Sequence, residues 1–254
     1  MFPLPEIIST TVFAEVPAKL RRSGTTSWTQ VNRPGRPTHS FLEGPSFDRA
    51  GNLYVVDVPF GRIFRVSPSG QFEVATEYDG EPNGLKIHKD GRIFITDYKN
   101  GLMTLEPTSG KVTPLLERRS SERFKGLNDL FFAANGDVYF TDQGETGLQD
   151  PTGRVYRMTS DGVLKCLLHT VPSSNGVTLD LDESSLFVAA TRSNNIWRIP
   201  NVRDGDAAKV GVFIQLSGGP GGPDGMALDE KGNLAVAHFG SGCVWLFDPH
   251  GQPL

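Results

Sequence analysis

The chain has little cysteine, Cys166 and Cys243 alone in 254 residues. They fall in expected strands of different repeat units and read as buried free thiols rather than a disulfide. It has no long hydrophobic run, which excludes a membrane-spanning helix. It has no secretion signal either, because Met1 to Val16 holds Glu6 and Glu15 and lacks a basic start. Together these give a reduced, cytoplasmic setting. A net charge of −4 with no basic stripe argues against a nucleic-acid partner. The richest basic stretch, Arg21, Arg22, Arg33 and Arg36, reads as a solvated loop. No segment of useful length shows a helical period. Also missing are a G-x-S-x-G elbow, an H-E-x-x-H helix and a glycine loop ending in Gly-Lys-Ser/Thr. The glycine-rich run from Gly218 to Pro223 leads into a strand, so it lacks the helix N-terminus a phosphate needs and reads as a flexible loop.

What is present is turn chemistry in a repeat. There are 29 glycines and 18 prolines without a collagen-like period. Five times an oxygen-bearing residue precedes a short strand: Glu43, Asn83, Asn128, Asn175 and Asp224. From the residue after each one to the hinge of the first hairpin, the spacing is seven in four units (Gly44 to Gly51, Gly84 to Gly91, Asp129 to Gly136, Gly225 to Gly232) and eight in the other, Gly176 to Ser184. Each hinge is followed by a β-branched or aromatic run, such as Ile93-Phe94-Ile95-Thr96 or Val138-Tyr139-Phe140-Thr141. A third strand carries Phe64, Met103, Tyr156, Trp197 or Trp245 in matching places, a stripe that packs one unit on the next. A weaker fourth strand follows in most units, as at Gln71–Val74 and Val163–Cys166.

Four strands per unit and a period of roughly 40–50 residues are the pattern of propeller blades. The fold class expected is all-β, a single propeller domain over 1–254. Residues 1–40 form an N-terminal strand and loop, and blades lie near 41–78, 79–118, 122–170, 171–216 and 220–254.

In such a fold the inner strands line a central channel, and the five oxygen-bearing residues would ring one mouth of it. Each alone also reads as a turn residue. As a set, two carboxylates beside three amides with no Lys or Arg at equivalent positions call for a cation. Oxygen donors suit Ca²⁺ first, with Mg²⁺ or Mn²⁺ as alternatives and Zn²⁺ less favoured. An oxygen-ligated ion can polarise a carbonyl and orient water, which is hydrolase chemistry on an activated ester. Asp224 is the candidate base. Asn83 and Asn128 are candidate substrate contacts, with Phe60 and His238 for the pocket wall. His39 falls on a possible lid, Ala18 to Ser40, long enough to be mostly disordered. Asp142 and Gln143 fall near the same mouth and read as turn caps.

Several segments resemble the regucalcin-like (senescence marker protein) gluconolactonase family: Phe41-Leu42-Glu43-Gly44-Pro45, Leu127-Asn128-Asp129, Ser174-Asn175-Gly176 and Pro223-Asp224-Gly225-Met226. Asp57 to Phe64, Thr141 to Leu148 and Asp150 to Tyr156 are similar to its microbial gluconolactonase branch. The resemblance implies a six-bladed propeller with one divalent ion on its axis and lactonase activity. It places metal ligands at Glu43, Asn175 and Asp224, a further ligand or substrate contact at Asn128, and the base at Asp224. Where some members carry an Arg two residues before the Asn of blade three, this chain has Gly126. Only five blades are evident, with Thr11 to Glu15 as an N-terminal strand of the apparently missing sixth. That leads us to expect a poorly soluble or weakly active form. The expected function is a metal-dependent lactonase acting on small sugar or hydroxy-acid lactones. The alternatives are a non-catalytic calcium-binding or docking propeller and a propeller lyase or synthase. The sequence carries no signal of oligomeric state.

Overall fold

A computed structural model describes residues 6–254 of the chain. Apart from one short α-helix and isolated helical turns, it is all strand and turn, and the strands form five blades of the β-propeller kind. Blade one is β1 (Leu42–Phe47), β2 (Leu53–Asp57), β3 (Arg62–Val66) and β4 (Phe72–Glu77); blade two is β5 (Pro82–Ile87), β6 (Ile93–Asp97), β7 (Gly101–Glu106) and β8 (Lys111–Leu116). A two-stranded ribbon, β9 (Arg118–Arg119) and β10 (Glu122–Arg123), follows. Blade three is β11 (Leu127–Phe132), β12 (Val138–Asp142), β13 (Gly153–Met158) and β14 (Leu164–Val171); blade four is β15 (Ser174–Leu179), β16 (Ser185–Ala190), β17 (Asn195–Pro200) and β18 (Gly211–Gln215). Blade five has three strands, β19 (Pro223–Leu228), β20 (Leu234–His238) and β21 (Cys243–Phe247).

The chain divides into two compact units, residues 12–128 and residues 129–254 with 6–11. Within the first, Tyr54, Val56 and Ile63 of blade one pack with Leu85, Ile95 and Met103 of blade two. Within the second, Tyr139 and Val155 meet Val177 and Val188, and Phe187 and Ile196 meet Met226 and Val236. The second strands of blades one to four are buried on both faces, which is why their sequences are apolar runs rather than alternating patterns; β20 of blade five alternates between buried and half-buried residues.

The repeat read from the sequence holds residue by residue. Phe64, Met103, Tyr156, Trp197 and Trp245 each stand opposite the third residue of their run, at Val55, Ile95, Phe140, Val188 and Val236. Four hinge glycines take left-handed backbone, with φ of 81° at Gly51, 93° at Gly91, 91° at Gly136 and 82° at Gly232. In blade four this conformation falls on Glu183, one residue before the expected hinge at Ser184.

Other expectations need correcting. Thr11 to Glu15 is not a strand, because no backbone ladder pairs with it; Ala14, Val16 and Leu20 instead pack their side chains on Val55, Phe64 and Val66. The segment from Ala18 to Ser40 is ordered. It contains α1 (Ser27–Asn32), closed by a Thr26/Thr29 capping box, with Trp28 buried against Phe41 at 4.8 Å between ring centres. Of its arginines, Arg21, Arg22 and Arg36 are exposed as expected, although both terminal nitrogens of Arg22 pair with Glu77 at 2.7 and 2.6 Å; Arg33 is half-buried and lies over the Phe41 ring. Both cysteines are free, but Cys166 is half-buried and Cys243 exposed. The glycine-rich run is a loop only in its first half: Gly218 to Pro220 are exposed, but a side chain at Gly222 would meet the Thr191 carbonyl at 2.1 Å, and Gly221 lies against Gly240. Among the described residues no helix is long and apolar enough to cross a membrane.

Candidate functional site

Three of the five oxygen-bearing residues sit inside the same irregularity and a fourth borders it. Register slips between Glu43 and Ser46 in β1, Pro82 and Gly84 in β5, Ser174 and Val177 in β15, and Pro223 and Met226 in β19. The bulges of β5, β15 and β19 carry Asn83, Asn175 and Asp224, and a bulge re-aims a side chain out of the pleat, whereas Glu43 stands in register opposite Val56 just before the bulge of β1. The Asn-Gly and Asp-Gly pairs are therefore not turns. At Gly44 and Gly176 the glycine is required by close approach of the next inner strand, since a side-chain carbon at Gly44 would meet the Asn83 carbonyl at 2.8 Å and one at Gly176 the Asp224 carbonyl at 2.3 Å, whereas Gly225 of blade five faces open space.

A bulge frees a backbone N–H that the ladder no longer satisfies. In blade two a threonine takes it up. Gly84 N–H donates to Thr96 Oγ1 at 3.0 Å, and Thr96 Oγ1 donates to the Asn128 carbonyl at 2.6 Å. Blade three repeats the two bonds: Asp129 N–H donates to Thr141 Oγ1 at 3.0 Å, and Thr141 Oγ1 donates to the Asn175 carbonyl at 2.7 Å. One hydroxyl thus ties down its own blade's inner strand and fixes the backbone of the next blade's candidate residue. Thr96 and Thr141 each end a strand run in the sequence, where they look like ordinary β-formers.

In the unit of residues 129–254, three side chains come together from three blades. The Asn175 amide and the charge of Asp129 both bear on the Asp224 carboxyl, the amide favouring its charged form and Asp129 opposing it. Asp129 accepts from Leu130 N–H at 2.8 Å and from Val177 N–H, beside the blade-four bulge, at 3.2 Å. Burial, and next the charge of Asp129, push the Asp224 carboxyl up to about 6 against the opposing Asn175 amide. Sequence reasoning passed over Asp129, whose signal was a carboxylate standing where the four other units have glycine.

The remaining candidates are placed as follows. Within residues 12–128, Glu43 and Asn83 are half-buried and Asn128 is buried. Phe60 is half-buried against the guanidinium of Arg62. His238 is 1% exposed. Its Nδ1 accepts from the Trp245 indole at 3.1 Å, which leaves the proton on Nε2 to donate to the Gly221 carbonyl at 3.0 Å. Both ring nitrogens are therefore engaged in holding blade five. Asp142 is fully buried at the end of β12. No group of three or more His, Cys, Asp or Glu side chains suited to an ion occurs among the described residues. The expected donors, two carboxylates with amides, are a different kind of set, and the mutual repulsion of Asp129 and Asp224 is the electrostatic condition a hard cation relieves.

Comparison with known proteins gives one consistent result. Residues 41–254 match the model of the SMP-30/gluconolactonase/LRE-like region. The chain is 33% identical over 245 residues to lactonase drp35 of Staphylococcus aureus, covering 89% of this chain and 71% of that protein. Among solved structures, a gluconolactonase from Xanthomonas campestris superposes with a TM-score of 0.76 at 25% identity, covering 85% of this chain and 75% of the other. A calcium-binding regucalcin from Agrobacterium tumefaciens, 23% identical, shares the fold with a TM-score of 0.70 over 84% of this chain and 72% of its own.

Proposed function

This chain belongs to the SMP-30/gluconolactonase/LRE-like family and is an enzyme of the carboxylic-ester hydrolase class; from that premise we propose that it is a metal-dependent lactonase for small sugar or hydroxy-acid lactones. The observation that carries the reading is the Asp129, Asn175 and Asp224 cluster, in which a carboxyl is held short of donors and beside a second negative charge. Glu43, Asn175 and Asp224 would hold the ion, with Asn128 as a further ligand or substrate contact. When bound, a hard divalent cation, Ca²⁺ before Mn²⁺, Mg²⁺ or Zn²⁺, supplies Lewis-acid polarisation of an ester carbonyl.

The chain's own groups do the rest. Asn128, Asn175 and Asn83 offer amides to orient the lactone. Asp224 takes a proton from the attacking water as the water oxygen bonds to the carbonyl carbon. The ring C–O bond breaks, and that proton passes to the departing alkoxide, giving an open hydroxy acid whose new carboxyl keeps the water's other hydrogen until it ionises to solvent. A cytoplasmic setting belongs to this reading and is supported by the two free cysteines.

The test is turnover of a lactone panel by wild type and Asp224→Ala. We expect the substitution to lower kcat/KM by roughly 10²–10⁴-fold with melting temperature held. A wild type that opens no lactone with any of the four ions refutes the proposal, and an Asp224→Ala variant as active as wild type removes the role of Asp224.

A further inference from the structure

The residue two places before each oxygen-bearing residue is the entrance to its blade. Three of these entrances follow one plan. The entrance carbonyl accepts from the backbone after the second strand: Phe41 from Val58 at 3.0 Å, Glu81 from Tyr98 at 2.8 Å, Ser173 from Thr191 at 3.1 Å. The entrance N–H is capped in blades one and two by the aspartate that ends the second strand, Phe41 by Asp57 at 2.8 Å and Glu81 by Asp97 at 3.1 Å. Blade four has Ala190 at that place. There the cap comes from a different blade, since Ser173 N–H donates to Thr146 Oγ1 at 3.2 Å in the long loop between β12 and β13.

The same loop makes a second bond to the same residue: Gln143 Nε2 donates to Ser173 Oγ at 2.7 Å. Thr146 is itself fixed by donating to the Gln143 carbonyl at 2.6 Å. Ser173 is 2% exposed and holds a φ of 63°, a left-handed conformation that strains a non-glycine residue and persists only where its surroundings impose it. Two residues on, the Asn175 carbonyl accepts from Thr141 Oγ1 at 2.7 Å, from the same blade as the loop.

We propose that Ser173, clamped by Gln143 and Thr146, is a positioning residue that sets the direction of the Asn175 amide, so that the loop between β12 and β13 governs ion and substrate binding. In its bearing on ligand this rests on the function proposed above; in its bearing on Asn175 it stands on geometry alone. The clamp accounts for why a serine is kept left-handed in a buried place where glycine would be free of strain. A loop with Glu145, Gln149 and Leu148 exposed to solvent then has a mechanical route to the blade-four bulge.

The experiment uses the full chain with Gln143→Ala, Ser173→Gly and their double variant. Readouts are thermal melting, Ca²⁺ affinity by calorimetry, and the side-chain amide resonance of Asn175, assigned by its loss in Asn175→Asp. Ser173→Gly suits the backbone, so its melting temperature should hold or rise. We expect both single variants to shift or broaden the Asn175 amide and weaken Ca²⁺ about tenfold, as loss of an outer-shell partner does. The double variant should be no worse than the weaker single, because both remove one bond. An Asn175 resonance unmoved in both single variants overturns the proposal. If wild type binds no ion and opens no lactone, the functional reading fails, while the amide resonance still decides the positioning claim.

Discussion

Asp57 and Asp224 are both carboxylates lodged among blade strands, and their surroundings are opposite. Asp57 is fully buried, accepts from Phe41 N–H, and receives two bonds from Arg62, at 3.0 and 2.5 Å. Arg62 also donates to the Leu20 carbonyl and lies over Phe60 and Phe64, so the pair is fully compensated. Asp97 is similar, accepting from the Tyr78 hydroxyl and from the backbone of Glu81, Lys99 and Asn100. Asp224 has an amide for a partner and a second carboxylate for a neighbour. The difference teaches what separates a scaffold acid from a candidate site acid: a carboxylate satisfied by donors holds chain in place, whereas the half-buried Asp224 stands beside another carboxylate, the condition on which its proposed role as a ligand rests.

The largest effect that should separate the two is on stability. Asp57→Ala leaves Arg62 charged and unpaired, and we expect a loss of about 3–5 kcal/mol, a fall in Tm of roughly 6–20 °C. A Tm within a degree or two of wild type would show that Asp57 is not scaffold. Next in size is the latch. Thr141→Val removes the hydroxyl but not the volume, stranding Asp129 N–H and the Asn175 carbonyl, at a cost of about 1–3 kcal/mol readable by urea unfolding. Thr104→Val, whose hydroxyl reaches only Thr113 in a half-buried pair, should cost less.

The smallest effect sharpens the comparison from the Asp224 side. Its carboxyl holds a proton more tightly folded than unfolded, 3.8 being the ordinary value and about 6 the folded one. The stability it lends is therefore complete below pH 4 and lost as pH rises through 6. With a chelator present, Asp224→Asn should match wild type near pH 4 and exceed it by about 1–3 kcal/mol at pH 7.5. Melting curves at the two pH values check this, and a variant less stable than wild type at pH 7.5 contradicts it.

Much of the fold was legible because blade geometry repeats. A hinge needing positive φ and a buried second strand impose glycine and apolar runs at fixed spacing, so Gly51 through Gly232 and Phe64 through Trp245 could be aligned by counting. The candidate positions were legible for the same reason, but not their cause, since Asn-Gly reads as a turn until Gly176 is seen against the Asp224 backbone. Thr141, Asp129 and the Gln143 to Ser173 bond were hidden because each acts across blades, where no local pattern marks the partner. The ordered segment around α1 was missed because its hold is a buried Trp28 and scattered arginines rather than a period.

The central claim is that acidic and amide oxygens of separate blades serve one ion, and calorimetric titration of Ca²⁺ into wild type, Glu43→Gln, Asn175→Ala and Asp224→Asn tests it most directly. We predict a single site in wild type, weakened in every variant by at least about tenfold, or 1.4 kcal/mol. Glu43→Gln binding Ca²⁺ as tightly as wild type would contradict it.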